Sequence, residues 1–134
     1  MSTTATDRGP LAVLERLRDA INAHDLDAMV ACFADDFRGE TPTFPDNSFV
    51  GNEPVRENWS RILARVRDLH YEILRAVVDR DTVWAEIEQT GTDTDGTPHH
   101  LRGVVIHQVD GDVMTHNRLY VTPVLGGKPG IVTK

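Results

Sequence analysis

Six side chains between Val83 and Pro123 could carry acid–base chemistry: Glu86, Glu88, His107, His116, Arg118 and Tyr120. They sit in three strand-forming runs, VWAEIEQTG, LRGVVIHQV and VMTHNRLYVTP, separated by Asp95-Gly96 and Asp110-Gly111. Asp-Gly between alternating strand-formers is a strong short-range hairpin signal. If both pairs are two-residue turns, Glu88 is predicted opposite Gly103, Glu86 opposite Val105 and Trp84 opposite His107. On the second hairpin His107 then faces Met114, Val105 faces His116 and Gly103 faces Arg118. Strand side chains alternate between faces, so these rows share one face, with Tyr120 beyond them. The other face is apolar: Val83, Ala85, Ile87, Val104, Ile106, Val113, Leu119 and Val121. A one-residue change in either loop inverts the assignment for a strand, and Pro98 makes the first turn the less secure.

Glu86 and His116 would lie about 10 Å apart at the backbone with Val105 between them, close enough for long side chains to meet. A histidine held by a carboxylate is oriented and kept basic, which suits a general base. Glu88 and Arg118 would flank Gly103, and their ion pair could fix the guanidinium as a carbonyl clamp. Tyr120 could donate a proton. The set suits cofactor-free cyclisation, isomerisation, dehydration or water addition next to a carbonyl or epoxide. The same residues also read as cross-strand ion pairs on a solvated face, with no function attached.

The elements that must position this face belong to one domain. A chain of 134 residues, 40% apolar and 26% charged, is ordinary for a globular protein with a single core. Its formal charge of −7 disfavours nucleic acid and anionic membrane as partners. Arg61, Arg65 and Arg67 are the only basic cluster and read as a solvated helix face. Cys32, the single cysteine, permits no internal disulfide and is expected to be buried. No signal peptide or apolar membrane-spanning run is visible, and a cytoplasmic location is expected. His99-His100 lack a spaced acidic or cysteine partner, so no metal site is expected, and no cofactor motif is present.

Residues 1–9 read as a flexible leader, 10–123 as the folded domain and 124–134 as a flexible tail. Pro10 starts a helix with Leu11, Leu14, Leu17 and Ile21 on its apolar side. Asp25 caps a second helix, whose apolar face is expected to include Met29, Val30 and Phe33. Phe37 to Gly51 reads as a short strand and an irregular loop, with Phe44 and Phe49 expected over the core or a pocket mouth. Asn52 caps a third helix that carries Trp59. The run from Tyr71 is extended, with a turn near Arg80-Asp81. The expected class is α+β: three N-terminal helices packed on a curved, mainly antiparallel sheet.

This order of elements, with Leu26-Asp27-Ala28 through Phe33-Ala34-Asp35-Asp36-Phe37, the Gly51 entry to the third helix, and Arg102-Gly-Val-Val followed by Arg118-Leu-Tyr, resembles the SnoaL-like branch of the nuclear transport factor 2-like superfamily. The resemblance covers roughly residues 10–123. It implies a cone-shaped apolar pocket for a small organic molecule beneath the helices and a homodimer through the outer sheet face. Members include polyketide cyclases, ketosteroid isomerases, scytalone dehydratase, limonene epoxide hydrolase and non-enzymatic domains. The catalytic positions of ketosteroid isomerases fall on Leu17, about Thr41 beside Glu40, and near Val105, so that activity is not implied. The arginine–carboxylate mixture of the epoxide hydrolase is matched only loosely by Glu86, Glu88 and Arg118. The strand histidines of scytalone dehydratase are matched loosely by His107, His116 and Tyr120. The resemblance places the pocket on the Glu86, Glu88, His107, His116, Arg118 and Tyr120 face, with Trp59, Trp84, Phe44 and Val105 contacting substrate. Val104, Ile106, Leu119 and Val121 are left for a dimer partner. The alternative is a non-catalytic ligand-binding or dimerisation domain of the same fold.

Overall fold

The computed structural model describes residues 9–126, so most of the expected leader and tail lies outside the described residues. Chain order is α1 (Pro10–Asn22), α2 (Leu26–Val30), β1 (Phe33–Glu40), a single-turn 3-10 helix (Pro45–Asn47), β2 (Phe49–Val50), α3 (Glu53–Arg65), β3 (His70–Asp79), β4 (Thr82–Thr92), β5 (Pro98–Asp110) and β6 (Val113–Pro123). The α+β class is as expected. The three helices do not form one N-terminal block, however, because β1 and β2 separate α3 from the other two.

In α1 the buried residues Val13, Leu14, Leu17, Ala20 and Ile21 recur at helical spacing. Burying each large member contributes about 1.5–3 kcal/mol, which carries a helix with neither acidic first turn nor basic last turn. Its C-terminus is fastened to the sheet by Asn22. The Asn22 Nδ2 donates to the Tyr71 carbonyl at 3.0 Å, and its Oδ1 accepts from the Tyr71 N–H at 2.7 Å. The chain then reverses through His24, at φ +56°, whose Nε2 lies 3.0 Å from the Leu69 carbonyl. Asp25 caps α2 by accepting from the Ala28 N–H at 3.1 Å.

The second helix is shorter than its apolar spacing predicts. It ends at Val30, and Phe33 opens β1, where it pairs with Met114 of β6. A ladder partner across the sheet outweighs local helical periodicity here. Asn52 stands at the N-cap of α3 but makes no capping bond; its Nδ2 lies 3.4 Å from Asp35 Oδ1.

The sheet has six strands in the order β2-β1-β6-β5-β4-β3. The β1–β6 pair is parallel and the other neighbours are antiparallel. The β3–β4 turn falls at Arg80-Asp81, as the sequence implies, with Arg80 at φ +58°.

The next two hairpins differ from expectation in register. In the first, Thr92 pairs with Pro98, and Asp93 donates its N–H to the Thr97 carbonyl at 2.9 Å. Three residues, Thr94-Asp95-Gly96, therefore form the loop, with Gly96 at φ +87°, the usual geometry of a turn closed by a left-handed glycine. One added loop residue moves every pairing by one: Glu88 faces Arg102, Glu86 faces Val104 and Trp84 faces Ile106. In the second hairpin Asp110 pairs with Val113, so Gly111-Asp112 is the turn. A bulge follows, since Val109 pairs with Met114 but Gln108 with His116, leaving Thr115 unpaired. Beyond it His107 faces Asn117, Val105 faces Leu119 and Gly103 faces Val121. An unpaired residue reverses side-chain parity, which is why Met114 and Asn117 both turn inward.

Candidate functional site

The helices cover the face carrying Val83, Ala85, Ile87, Val105, His107 and Met114, all buried. Between this face, α1, α3 and the β1–β2 segment lies a cavity of about 480 Å³. Its walls are mostly apolar. Leu17 comes from α1, Trp59 and Ile62 from α3, and Phe33, Phe37 and Phe49 from β1 and β2. Gly39 makes room for this aromatic wall, because a Cβ there would stand 2.8 Å from the Phe49 ring. Phe33 meets Phe37 edge-on at 4.8 Å between centroids.

Four buried polar residues interrupt the apolar lining: Tyr71, Gln89, His107 and Asn117. None carries a charge at neutral pH. His107 is 3% exposed and Asn117 7%. Burial pushes the His107 imidazole down to about 4, since the charged form loses its hydration. Burial likewise pushes the Tyr71 phenol up, so it stays protonated. His107 Nδ1 and Asn117 Oδ1 are buried and have no hydrogen-bond partner among the described residues. Gln89 is engaged from outside the cavity, its Oε1 lying 3.3 Å from His99 Nε2. The charged lining residues are Glu40 at the end of β1, which is partly exposed, and the exposed Glu57 and Arg61 on α3.

Of the residues singled out in the sequence, His107, Val105 and Trp59 line this cavity. Glu86, Glu88, His116, Arg118, Tyr120 and Trp84 do not; the register places them on the opposite, outer face. Phe44 is more than half exposed and lies outside the lining. Leu119 and Val121, expected at a dimer surface, line the cavity instead, while Val104 and Ile106 remain on the outer face.

The expected ion pairs are replaced by others. Glu86 lies 3.3 Å from Arg75 and 3.6 Å from Arg102. Glu88 lies 2.6 Å from His100 and 4.0 Å from Arg102. The His100 hydrogen bond, opposed by partial burial and aided by Arg102, holds the Glu88 carboxyl below its usual range. His116 and Arg118 both serve Glu40 of β1. Arg118 Nε donates to Oε1 at 3.2 Å, and His116 Nε2 stands 3.3 Å from Oε2 without hydrogen-bond alignment. For Glu40, partial burial raises the carboxyl, but His116 and Arg118 together lower it further. Gly103 does not separate Glu88 from Arg118. Its role is backbone proximity, since a Cβ there would meet the Tyr120 carbonyl oxygen at 2.0 Å.

Asn117 escaped the sequence reading because the Thr115 bulge has no composition cue, and parity without it turns Asn117 outward. Tyr71 and Gln89, which face each other across β3–β4, carried the alternation signal but no charge to draw notice.

A curved, largely antiparallel sheet of six strands with helices over a mostly apolar cavity defines an α+β pocket protein. The chain belongs to the SnoaL-like domain family, whose model matches residues 14–117. No curated protein sequence matches it. Similar solved structures include AclR, a candidate hydroxylase from Streptomyces galilaeus, at 16% identity over 92% of this chain and 91% of that one, with a TM-score of 0.77. A Mycobacterium tuberculosis protein in complex with estradiol-17beta-hemisuccinate is 20% identical over 86% and 98%, with a TM-score of 0.73. A Catenulispora acidiphila protein of ketosteroid isomerase-like fold, in complex with trimethylamine, is 19% identical over 79% and 82%, with a TM-score of 0.69. Likeness at these identities is likeness of fold.

Proposed function

We propose that the cavity binds a small, uncharged, largely apolar organic molecule. The observation that carries this reading is the buried part of the lining: aromatic and aliphatic walls around four buried polar residues, all neutral at physiological pH, with the charged residues Glu40, Glu57 and Arg61 only on its more exposed side. A charged group set against the buried wall would lose its hydration there without gaining a counter-charge. A cavity of about 480 Å³ falls in the size range of small-molecule sites. The steroid skeleton held by the M. tuberculosis relative supports a largely apolar ligand, while the hemisuccinate carboxylate of that ligand is the part that the buried wall here would exclude. Calorimetric titration with neutral fluorenone and with anionic fluorene-9-carboxylate tests it. Fluorenone binds and the carboxylate does not; equal binding of both overturns the neutral-ligand reading.

A catalytic reading draws on one observation, the uncommitted Nδ1 of His107 at the cavity wall. A neutral imidazole can polarise a carbonyl or relay a proton without a cofactor, which suits isomerisation, cyclisation, dehydration or water addition. Turnover of a candidate substrate that survives His107→Gln at full rate would exclude it.

For assembly, we propose a homodimer through the outer sheet face. Val77, Trp84, Val104 and Tyr120 are exposed there, and Trp84 is 50% exposed. Ile106 pairs with Trp84 beside them, and Arg75–Glu86–Arg102–Glu88 form an alternating-charge border. Apolar centre and polar rim are the anatomy of a protein interface.

A further inference from the structure

The reading of a neutral-ligand cavity leaves open which polar group the ligand carries, and the His107–Asn117 pair bears on it. The two residues are direct partners across β5–β6 and both line the cavity. Each holds one buried polar atom without a partner: Nδ1 of His107 and Oδ1 of Asn117. Buried polar atoms in folded proteins are nearly always satisfied, so two adjacent exceptions on a cavity wall are a feature of the site.

Their chemistry is complementary. The amide oxygen can only accept, and so asks for a hydrogen donor. A neutral imidazole offers one N–H and one acceptor nitrogen, in either tautomer. The Asn117 amide turns about a soft terminal torsion, so either end can face the cavity. A group that both donates and accepts serves the pair in every one of these arrangements. A hydroxyl does so; with Asn117 Oδ1 facing the cavity, a ketone or ether oxygen only accepts and leaves that oxygen unpaired. Gln89, the other buried amide in the lining, already has its oxygen beside His99.

We propose that the cavity selects molecules bearing a hydroxyl group over their ketone and ether analogues, with His107 and Asn117 together holding that hydroxyl. The inference rests on the neutral-ligand reading above. Leaving a buried acceptor unpaired weakens binding about tenfold or more.

The experiment is a calorimetric titration of the full chain with fluorenol, fluorenone and fluorene, three rigid tricycles of nearly the same shape. Fluorenol is expected to bind at least tenfold more tightly than fluorenone. In Asn117→Leu that preference collapses to within about twofold, while fluorene binding is kept or improved. Should Asn117→Leu fail to fold, His107→Phe serves as the second variant, and the wild-type alcohol-to-ketone ratio stands by itself. Equal affinity for fluorenol and fluorenone overturns the hydroxyl selection and leaves the neutral-ligand reading intact. A preference that survives in the variants also overturns it, by locating the hydroxyl elsewhere. Failure of all three to bind overturns both.

Discussion

His107 on β5 and Asn117 on β6 stand directly opposite each other on the cavity face, and each ends in a buried polar atom that none of the described residues satisfies. Neighbouring strands are only about 4.8 Å apart, so the two side chains act as one polar spot in an otherwise apolar wall.

His107 makes stability depend on pH. Its folded-state value is about 4 against an ordinary 6.5, so between those values the unfolded chain binds a proton that the folded chain refuses. Stability is therefore full above about pH 6.5, falls as the pH drops and levels off below 4. At pH 5 the loss is about 2 kcal/mol. Urea denaturation at pH 7 and pH 5 checks it, and His107→Phe should remove most of the difference.

The outer and inner residues should separate cleanly in binding. Glu86→Gln, His116→Ala and Arg118→Ala are expected to leave the affinity for a neutral tricyclic probe within twofold of wild type. Trp59→Ala removes an aromatic wall and should weaken it about tenfold or more. Calorimetry on the four variants reads this directly.

Gly103 tolerates no side chain. A Cβ would meet backbone atoms of Tyr120 and Val121 at 2.0 and 2.7 Å, which cannot swing aside as a flexible side chain could. Gly103→Ala should destabilise the fold by about 3 kcal/mol or more. Gly39→Ala meets only the side-chain rings of Phe49 and Phe37, so it should cost less stability and alter ligand affinity more. Thermal melting and probe titration of the two variants distinguish the cases.

The outer-face dimer predicts a solution mass of twice the chain, and Trp84→Glu should shift it to monomer without lowering probe affinity. Sedimentation velocity measures the first and calorimetry the second.

Much of the fold was legible from local chemistry. The apolar stripe Leu14, Leu17 and Ile21 specified α1, Asp25 announced its cap, and strand alternation from Tyr71 onward gave four antiparallel strands in the right order. The candidate site was harder to place, because a face assignment depends on counting single residues through turns. Asp95-Gly96 marked the hairpin correctly, but Thr94 joins the loop, and that one residue carries Glu86 and Glu88 to the other side of the sheet. The bulge at Thr115 does the same on β6, exchanging His116 and Arg118 for Asn117 and Leu119. Bulges answer to twist and packing across strands, which no residue in the sequence advertises. Phe33 illustrates the same limit on a smaller scale, since its helical spacing yields to a ladder partner more than eighty residues away.

The most direct measurement is a proton–nitrogen NMR titration of the labelled protein with fluorenol, following the Asn117 side-chain amide, the His107 ring and the Arg118 Nε–H. Shifts at Asn117 and His107 with Arg118 unmoved are the predicted result. Shifts at Arg118 while Asn117 and His107 stay still would put the ligand on the outer face and contradict the account.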